Sequence, residues 1–205
     1  MKQAEGKLID KDEKAQLDAT ILLAQSCGYE HEHTDHVSAL ALKLFDELKS
    51  LHELGDKERF WLQNAAILCD IGWIEGQKNH HKAALRIILE DSTLLFDEHE
   101  RLIIGLITRY HHGVSPTKEH AHFSSLKKPD RKLVTILASI LRVADGLDYS
   151  HQNVIKDIEC EITPKYIIVK CSADRTSEMD REKALYRGQL MEKVFGKVLC
   201  VEWKI

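Results

Sequence analysis

Apolar residues recur at helical spacing from about Leu8 to Ser150, with polar or glycine-containing breaks at short intervals. Gly28 ends the first predicted helix, and the last one runs from Arg131 to about Tyr149. The other breaks fall at Gly55, residues 72–78, Ser92, Gly113 and the polar loop 116–129. The pattern therefore predicts a mainly α body, which we assign to residues 1–152.

After residue 152 the periodicity changes. Apolar and charged residues alternate in VIKDIECEI, and the turn TPK leads into a second strand-like segment, YIIVKCSA. A helix follows in DREKALYRGQLMEKVFG, and a last strand in KVLCVEW. This order predicts a small β-β-α-β appendage, or α/β subdomain, over residues 153–205.

The composition is that of an ordinary globular protein. The 205 residues are 43% hydrophobic and 30% charged, which is enough apolar material for one sizeable core and a small appendage. The net charge of −4 supplies no general attraction to nucleic acid or to an anionic membrane. The N-terminal segment contains no apolar region of a signal peptide, and no apolar stretch is long enough to cross a bilayer. We therefore expect a cytoplasmic protein whose partner is neither nucleic acid nor a membrane.

The five cysteines occur without a CxxC motif or other tight spacing. Such an odd and scattered set favours reduced, mostly buried thiols over a disulfide framework or a closed zinc site. The twelve histidines are more informative, because two adjacent pairs, His80–His81 and His111–His112, flank apolar helical segments. Histidines in that setting are candidates for metal ligands.

Five acidic or imidazole side chains lie at the ends of core-facing stripes: His33, Asp70, His81, His111 and Asp145. Taken singly, each histidine is more often a packing or capping residue, and each aspartate is more often solvated. If Asp70 and Asp145 share an interior pocket, however, burial and their mutual repulsion raise the pKa of one of the two carboxyl groups unless a cation lies between them. A divalent ion bound by imidazole and carboxylate groups would remove that conflict, and zinc, iron and manganese accept such ligands.

The order of these residues resembles the HD superfamily of metal-dependent phosphohydrolases, whose pattern is a histidine, a His-Asp doublet, optional further histidines and a distal aspartate. A closer resemblance is to the C-terminal helical domain of the exopolyphosphatase/guanosine-pentaphosphate phosphatase (Ppx/GppA) family. It is carried, in order, by CGYEHEHTDHVSALALKLFDEL, AAILCDIG, NHHKAALRIIL, LIIGLITRYHHG, LVTILASILRVADGLDYSH and REKALYRGQLMEKVFGKVL. The resemblance implies an HD-type helical domain with a mixed α/β tail. Since the family's phosphatase chemistry resides in an N-terminal domain, we expect this domain to stand alone without exopolyphosphatase activity.

The resemblance also implies a metal centre. His33, Asp70 and Asp145 match the core metal ligands of the HD pattern. His81 and His111 match the extra histidines that support a second metal in some HD enzymes. The implied cofactor is a divalent ion, namely Mn, Mg, Fe or Zn.

Cys69 stands where the doublet has its histidine. Its thiolate could be a ligand of zinc or iron, since a nearby cation lowers the pKa of a thiol. Alternatively, Cys69 is a small apolar filler and the metal site has lost one ligand. In that case we expect the ion to be held weakly or to be absent.

The expected chemistry is hydrolysis of a phosphoester or phosphoanhydride of a phosphorylated small molecule, such as a nucleotide. Asp70 would help to orient the attacking water, and His81 and His111 would bind a second ion or the phosphate. Arg109 would neutralise phosphate charge. The alternative is a catalytically degenerate HD-like module that regulates or binds a ligand. An exposed edge strand in the tail could also form a homodimer.

Overall fold

The structure is a computed structural model, and it describes residues 11–204. The helices of the N-terminal part are α1 (Lys11–Ser26), α2 (His31–Glu47), α3 (Lys49–His52), α4 (Asp56–Ile67), α5 (His80–Glu90), α6 (Glu98–Arg109), α7 (Ala121–Ser125) and α8 (Lys128–Leu147). A 3₁₀ helix, Ile71–Glu75, joins α4 to α5. The C-terminal part consists of β1 (Ile155–Ile162), β2 (Tyr166–Ala173), α9 (Glu178–Phe195) and β3 (Val198–Lys204). The predicted helix start at Leu8 lies outside the described residues.

The three strands form one sheet in the order β1-β2-β3. β1 and β2 form an antiparallel hairpin in which Ile158 lies opposite Cys171. β3 runs parallel to β2, with Val201 opposite Val169, and α9 provides the long crossover that a parallel pair requires. The prediction of a mainly α fold with a small β-β-α-β appendage is confirmed. The division of the chain into two domains after residue 152 stays a prediction.

Short helices occupy two segments that the sequence analysis predicts as loops. Residues 72–78 overlap the 3₁₀ helix, and the polar segment 116–129 contains α7. Elements of one or two turns have too few residues to show a helical period, so the pattern of apolar positions could not reveal them.

α8 lies at the centre of the fold, packed against α2, α6 and α9. All of its residues from 134 to 147 are buried except one. α9 approaches the C-terminal end of α8 closely because residue 146 is glycine: a Cβ there would lie 2.6 Å from Ala184 Cα. The appendage therefore packs against the end of α8 that carries Asp145. Although α8 is long and mostly buried, no helix within residues 11–204 has the length and apolarity needed to cross a bilayer.

Candidate functional site

Three side chains that are far apart in the sequence meet in a cavity of about 460 Å³. His33 comes from the first turn of α2, Asp70 precedes the 3₁₀ helix, and Asp145 lies near the end of α8. His33 Nε2 is 3.8 Å from Asp70 Oδ2 and 3.7 Å from Asp145 Oδ1. The fold thus holds one imidazole nitrogen between two carboxylates.

A second group of side chains shares Asp70. His80 Nε2, at the start of α5, is 3.5 Å from Asp70 Oδ1, and His111 Nε2, after α6, is 3.6 Å from the same oxygen. Asp70 therefore directs one oxygen towards His33 and the other towards this second group. His112 completes the group, since its Nε2 is 2.8 Å from His80 Nε2. The ligand atoms of His80, His111 and His112 lie within 4.8 Å of one another, so these residues could hold a metal ion.

Gly72 allows the two parts of the site to approach each other. A Cβ at this position would lie 1.9 Å from the backbone oxygen of His80 and 2.8 Å from Ala84 N. The 3₁₀ helix that follows Asp70 therefore packs directly on the first turn of α5. This contact sets the distance between Asp70 and His80.

Each of the three histidines that face Asp70 through Nε2 has a hydrogen-bond partner at Nδ1. The pairs are His33 with Asp148 Oδ2 (2.8 Å), His80 with Gln77 O (3.0 Å) and His111 with Thr108 O (2.6 Å). Because a carbonyl or carboxylate oxygen accepts, Nδ1 carries a proton and donates it. In the neutral ring this arrangement leaves the lone pair on Nε2, which is the form that binds metals.

Each imidazole nitrogen lies farther from the carboxylate oxygen that it faces than a hydrogen bond allows, and about as far as two ligands of one metal ion lie from each other. The distances from Nε2 to carboxylate oxygen are 3.5–3.8 Å, which exceeds the normal hydrogen-bond range. Two ligands that each lie about 2.1 Å from one ion at a tetrahedral angle are about 3.4 Å apart. Among the described residues, the group whose ligand atoms all lie within 4.8 Å of one another is His80, His111 and His112, and Asp70 adds a carboxylate beside it. Zinc, iron and manganese accept imidazole and carboxylate ligands.

The carboxylates favour positive charge on the side of the cavity that contains His33, whereas burial lowers the pKa of His111 and His112 on the other side. Burial lowers the pKa of His33, but Asp145, the hydrogen bond with Asp148 and the charge of Asp70 raise it overall to about 10. Burial raises the pKa of Asp145, yet the Arg187 guanidinium and His33 hold it well below its usual range. In the metal-free protein a proton on His33 and the Arg187 guanidinium therefore balance the charge of Asp145. A bound metal ion would replace that proton.

Arg187, from α9, brings a guanidinium to the site. It forms an ion pair with Asp145, and its Cζ lies 5.2 Å from the centre of the Tyr149 ring. Trp73 forms another part of the wall, where its Nε1 donates to Asp70 Oδ1 over 3.1 Å. Both aromatic rings are partly exposed. The cavity thus combines acids and imidazoles with a cation and two accessible aromatic surfaces.

Cys69 is fully buried and does not line the cavity. Desolvation raises the pKa of its thiol well above the usual value, and the charges of Asp70 and Asp145 raise it further. The group is therefore a neutral thiol in the metal-free protein. Its role as a ligand stays a prediction, since only a bound cation would favour the thiolate.

The structure places His81 and Arg109 outside the cavity lining. The pKa of His81 is lowered to about 4, first by burial and then by neighbouring positive groups. Its Nδ1 has no hydrogen-bond partner among residues 11–204. Arg109 lies with its Cζ 5.6 Å from the Tyr110 ring. His80 and Arg187 line the cavity instead. The sequence analysis assigns the corresponding roles to His81 and Arg109.

The sequence analysis did not select His80, Asp148 or Arg187. His80 and His81 both lie about one turn before the same apolar stripe, so helical spacing could not separate them. Asp148 lies three residues after Asp145 and shares its helix face, which is a signal that could have identified it. Arg187 had no such signal, because its contact with Asp145 depends on the packing of α9 against α8.

Comparison with known proteins adds one finding to this geometry. No curated protein matches the chain. A family model, Ppx/GppA phosphatase, domain III, matches residues 18–193. The matched region extends from α1 to α9 and contains every residue of the cavity lining. Because the match covers most of the sequence, the chain belongs to the Ppx/GppA phosphatase domain III family.

Proposed function

We propose that the protein is a metal-dependent phosphohydrolase that cleaves a phosphoester or phosphoanhydride of a small molecule. The observation that carries this proposal is the position of His33 between two carboxylates: its Nε2 lies 3.8 Å from Asp70 Oδ2 and 3.7 Å from Asp145 Oδ1. The family match is to domain III of the Ppx/GppA phosphatases, so the side chains of the cavity, and not the family name, carry the proposal. When bound, a divalent ion would polarise a phosphoryl oxygen and lower the pKa of the water that attacks phosphorus.

Asp70 is central to the proposed chemistry because it belongs to both groups of candidate ligands. One of its oxygens faces His33, and these two residues with Asp145 would hold one ion. The other oxygen faces His80 and His111, which would hold a second ion or bind the phosphate. Asp70 would also accept a hydrogen bond from the attacking water and so orient it.

Arg187 would bind the phosphate group. A guanidinium forms strong, charge-assisted hydrogen bonds with phosphate oxygens. In the structure it pairs with Asp145, so a metal ion and Arg187 would compete for this carboxylate. Once a metal ion occupies Asp145, Arg187 would be available to the substrate.

Arg187→Gln is expected to bind Mn²⁺ about tenfold more tightly and inorganic phosphate about tenfold more weakly than the wild-type protein. The variant frees Asp145 for the metal ion and removes the cation that would hold the phosphate. Calorimetric titration with Mn²⁺, and then with phosphate, measures both affinities. Arg181→Gln, on the same helix and paired with Glu178, is the matched control and should change neither. Loss of both affinities together in Arg187→Gln would mean that Arg187 supports the site and does not compete with the metal.

A second candidate function is ligand binding without catalysis. Two observations favour it: Cys69 is a buried neutral thiol, and Arg187 already neutralises Asp145 without a metal. In that case the cavity would bind a phosphorylated ligand directly through Arg187 and the histidines. A metal ion would then be held weakly or not at all.

Metal analysis of the purified protein, paired with a phosphatase screen, distinguishes the two functions. A phosphohydrolase is expected to bind Mn²⁺ or Zn²⁺ in stoichiometric amount and to hydrolyse p-nitrophenyl phosphate only with that metal. A binding module is expected to contain no metal and to gain activity only in Cys69→His, which restores the His-Asp doublet. Circular dichroism of Cys69→His checks that the fully buried position accepts the larger side chain.

A further inference from the structure

A groove of about 550 Å³ lies between α3, α7, the first half of α8 and the end of α9. It shares no lining residue with the cavity that contains Asp70. Thr135, which lines the groove, precedes Asp145 on α8 by ten residues, or about 15 Å of helix. The groove is therefore separate from the candidate metal site.

Five cationic side chains surround the groove: Lys118, Lys128, Arg131, Lys132 and Lys193. No Asp or Glu within residues 11–204 lines it, although acidic residues outnumber lysines and arginines, 33 to 29, in the whole chain. The four lysines are exposed, and none of them forms an ion pair with a carboxylate in the described part of the chain. The groove thus concentrates unpaired positive charge on a protein whose net charge is negative.

One of these cations, Lys128, lies where helix electrostatics disfavours it. Lys128 is the first residue of α8, where the helix dipole already places partial positive charge, and Arg131 and Lys132 follow within the next turn. The N-cap residue, Lys127, supplies no side-chain cap, and Asp130 is the acid of the first turn. Cations at this end destabilise the free helix, and an anion in the groove would offset that effect.

The floor of the groove is apolar. It is formed by buried Phe123, Ile136 and Leu190 and by half-buried Leu51, Val194 and Phe195. The nearby polar groups are already bonded: both ring nitrogens of His52 contact backbone groups, and the Thr135 hydroxyl donates to Arg131 O. A ligand on this floor would therefore make apolar contacts. The floor offers no free hydrogen-bonding group that could recognise a base or a sugar.

We propose that this groove binds a small amphiphilic anion, namely an organic phosphate whose short alkyl or aromatic body packs on the floor while the phosphate pairs with the surrounding cations. The volume is that of a site for a small organic ligand. Lysine ammonium groups act as point charges on flexible stems, which suits a phosphate that has no fixed orientation. An inorganic anion would leave the apolar floor unused. The proposal does not depend on the phosphohydrolase function.

The test is a calorimetric titration of octyl phosphate, below its micellar concentration, into the full chain in EDTA. Inorganic phosphate and 1-octanol, titrated separately, measure what the charged group and the alkyl chain contribute alone. Octyl phosphate is expected to bind one to one and at least about tenfold more tightly than either of them. Lys128→Gln/Lys132→Gln is expected to weaken its binding at least about tenfold.

The matched control is Lys11→Gln/Lys14→Gln, which removes the same charge from α1 and should bind like the wild type. Equal affinity for octyl phosphate and inorganic phosphate would overturn the proposal, because the apolar floor would then contribute nothing. An equal loss in both double variants would also overturn it, since general charge would account for binding. A loss in Arg187→Gln without a loss in Lys128→Gln/Lys132→Gln would assign octyl phosphate to the Asp70 cavity instead.

Discussion

Asp70→Asn is expected to lower the affinity for Mn²⁺ at least about hundredfold and the phosphatase activity at least about thousandfold. Asparagine keeps the size of the side chain and one oxygen acceptor but loses the negative charge. Because the two oxygens of Asp70 face His33 on one side and His80 with His111 on the other, the change weakens both donor groups at once. Calorimetry with Mn²⁺ and hydrolysis of p-nitrophenyl phosphate measure the two effects.

Asp35→Asn is the matched control for this experiment. It makes the same chemical change at an exposed position of α2, the helix that carries His33, and should retain both metal binding and activity. Circular dichroism should show that both variants fold. A folded Asp70→Asn protein with the metal affinity of the wild type would contradict the assignment of Asp70 as a ligand, and with it the proposed phosphohydrolase function.

Gly72→Ala is expected to lower the free energy of unfolding by at least about 3 kcal/mol. The new Cβ would lie 1.9 Å from His80 O and 2.7 Å from His80 C, and these backbone atoms cannot rotate away as a side chain can. The 3₁₀ helix must therefore move away from α5, which also separates Asp70 from His80. Chemical denaturation followed by circular dichroism measures the loss of stability.

Gly105→Ala is the control for added volume in the core. Its Cβ would meet Leu85 Cδ1 at 2.7 Å, which is the end of a flexible side chain that can shift. Alanine also favours the helical conformation of α6 over glycine, so we expect a loss below about 1 kcal/mol. If Gly72→Ala proved as stable as Gly105→Ala, the close packing of the 3₁₀ helix on α5 would not be what holds the site together.

Local periodicity was sufficient to predict the architecture. The stripe of Val37, Ala41 and Leu44 on α2 is buried, as helical spacing predicts, and so are Ala138 and Leu141 on α8. The change from helical spacing to alternation after residue 152 marks the start of the strands. Patterns of this kind are informative because a core-facing helix or strand must repeat apolar residues at its own period.

The candidate site was predictable in part. His33, Asp70 and Asp145 each stand at the end of an apolar segment, and this position, together with the resemblance to the HD pattern, marked them as candidate ligands. Their convergence could only be assumed from the pattern, because spacing along the chain contains no distance between helices. The wall residues Arg187 and Trp73 had no local signal at all.

The sequence by itself determined the helical body, the β-β-α-β appendage and the set of polar side chains at the ends of buried stripes. These features depend on spacing within one element, which the order of residues specifies directly. Only the tertiary structure decided that His80 faces Asp70 while His81 does not, and that Arg187 reaches Asp145. Those contacts depend on how closely two elements approach that are far apart in the chain. Gly72 in the 3₁₀ helix and Gly146 near the end of α8 allow these close approaches.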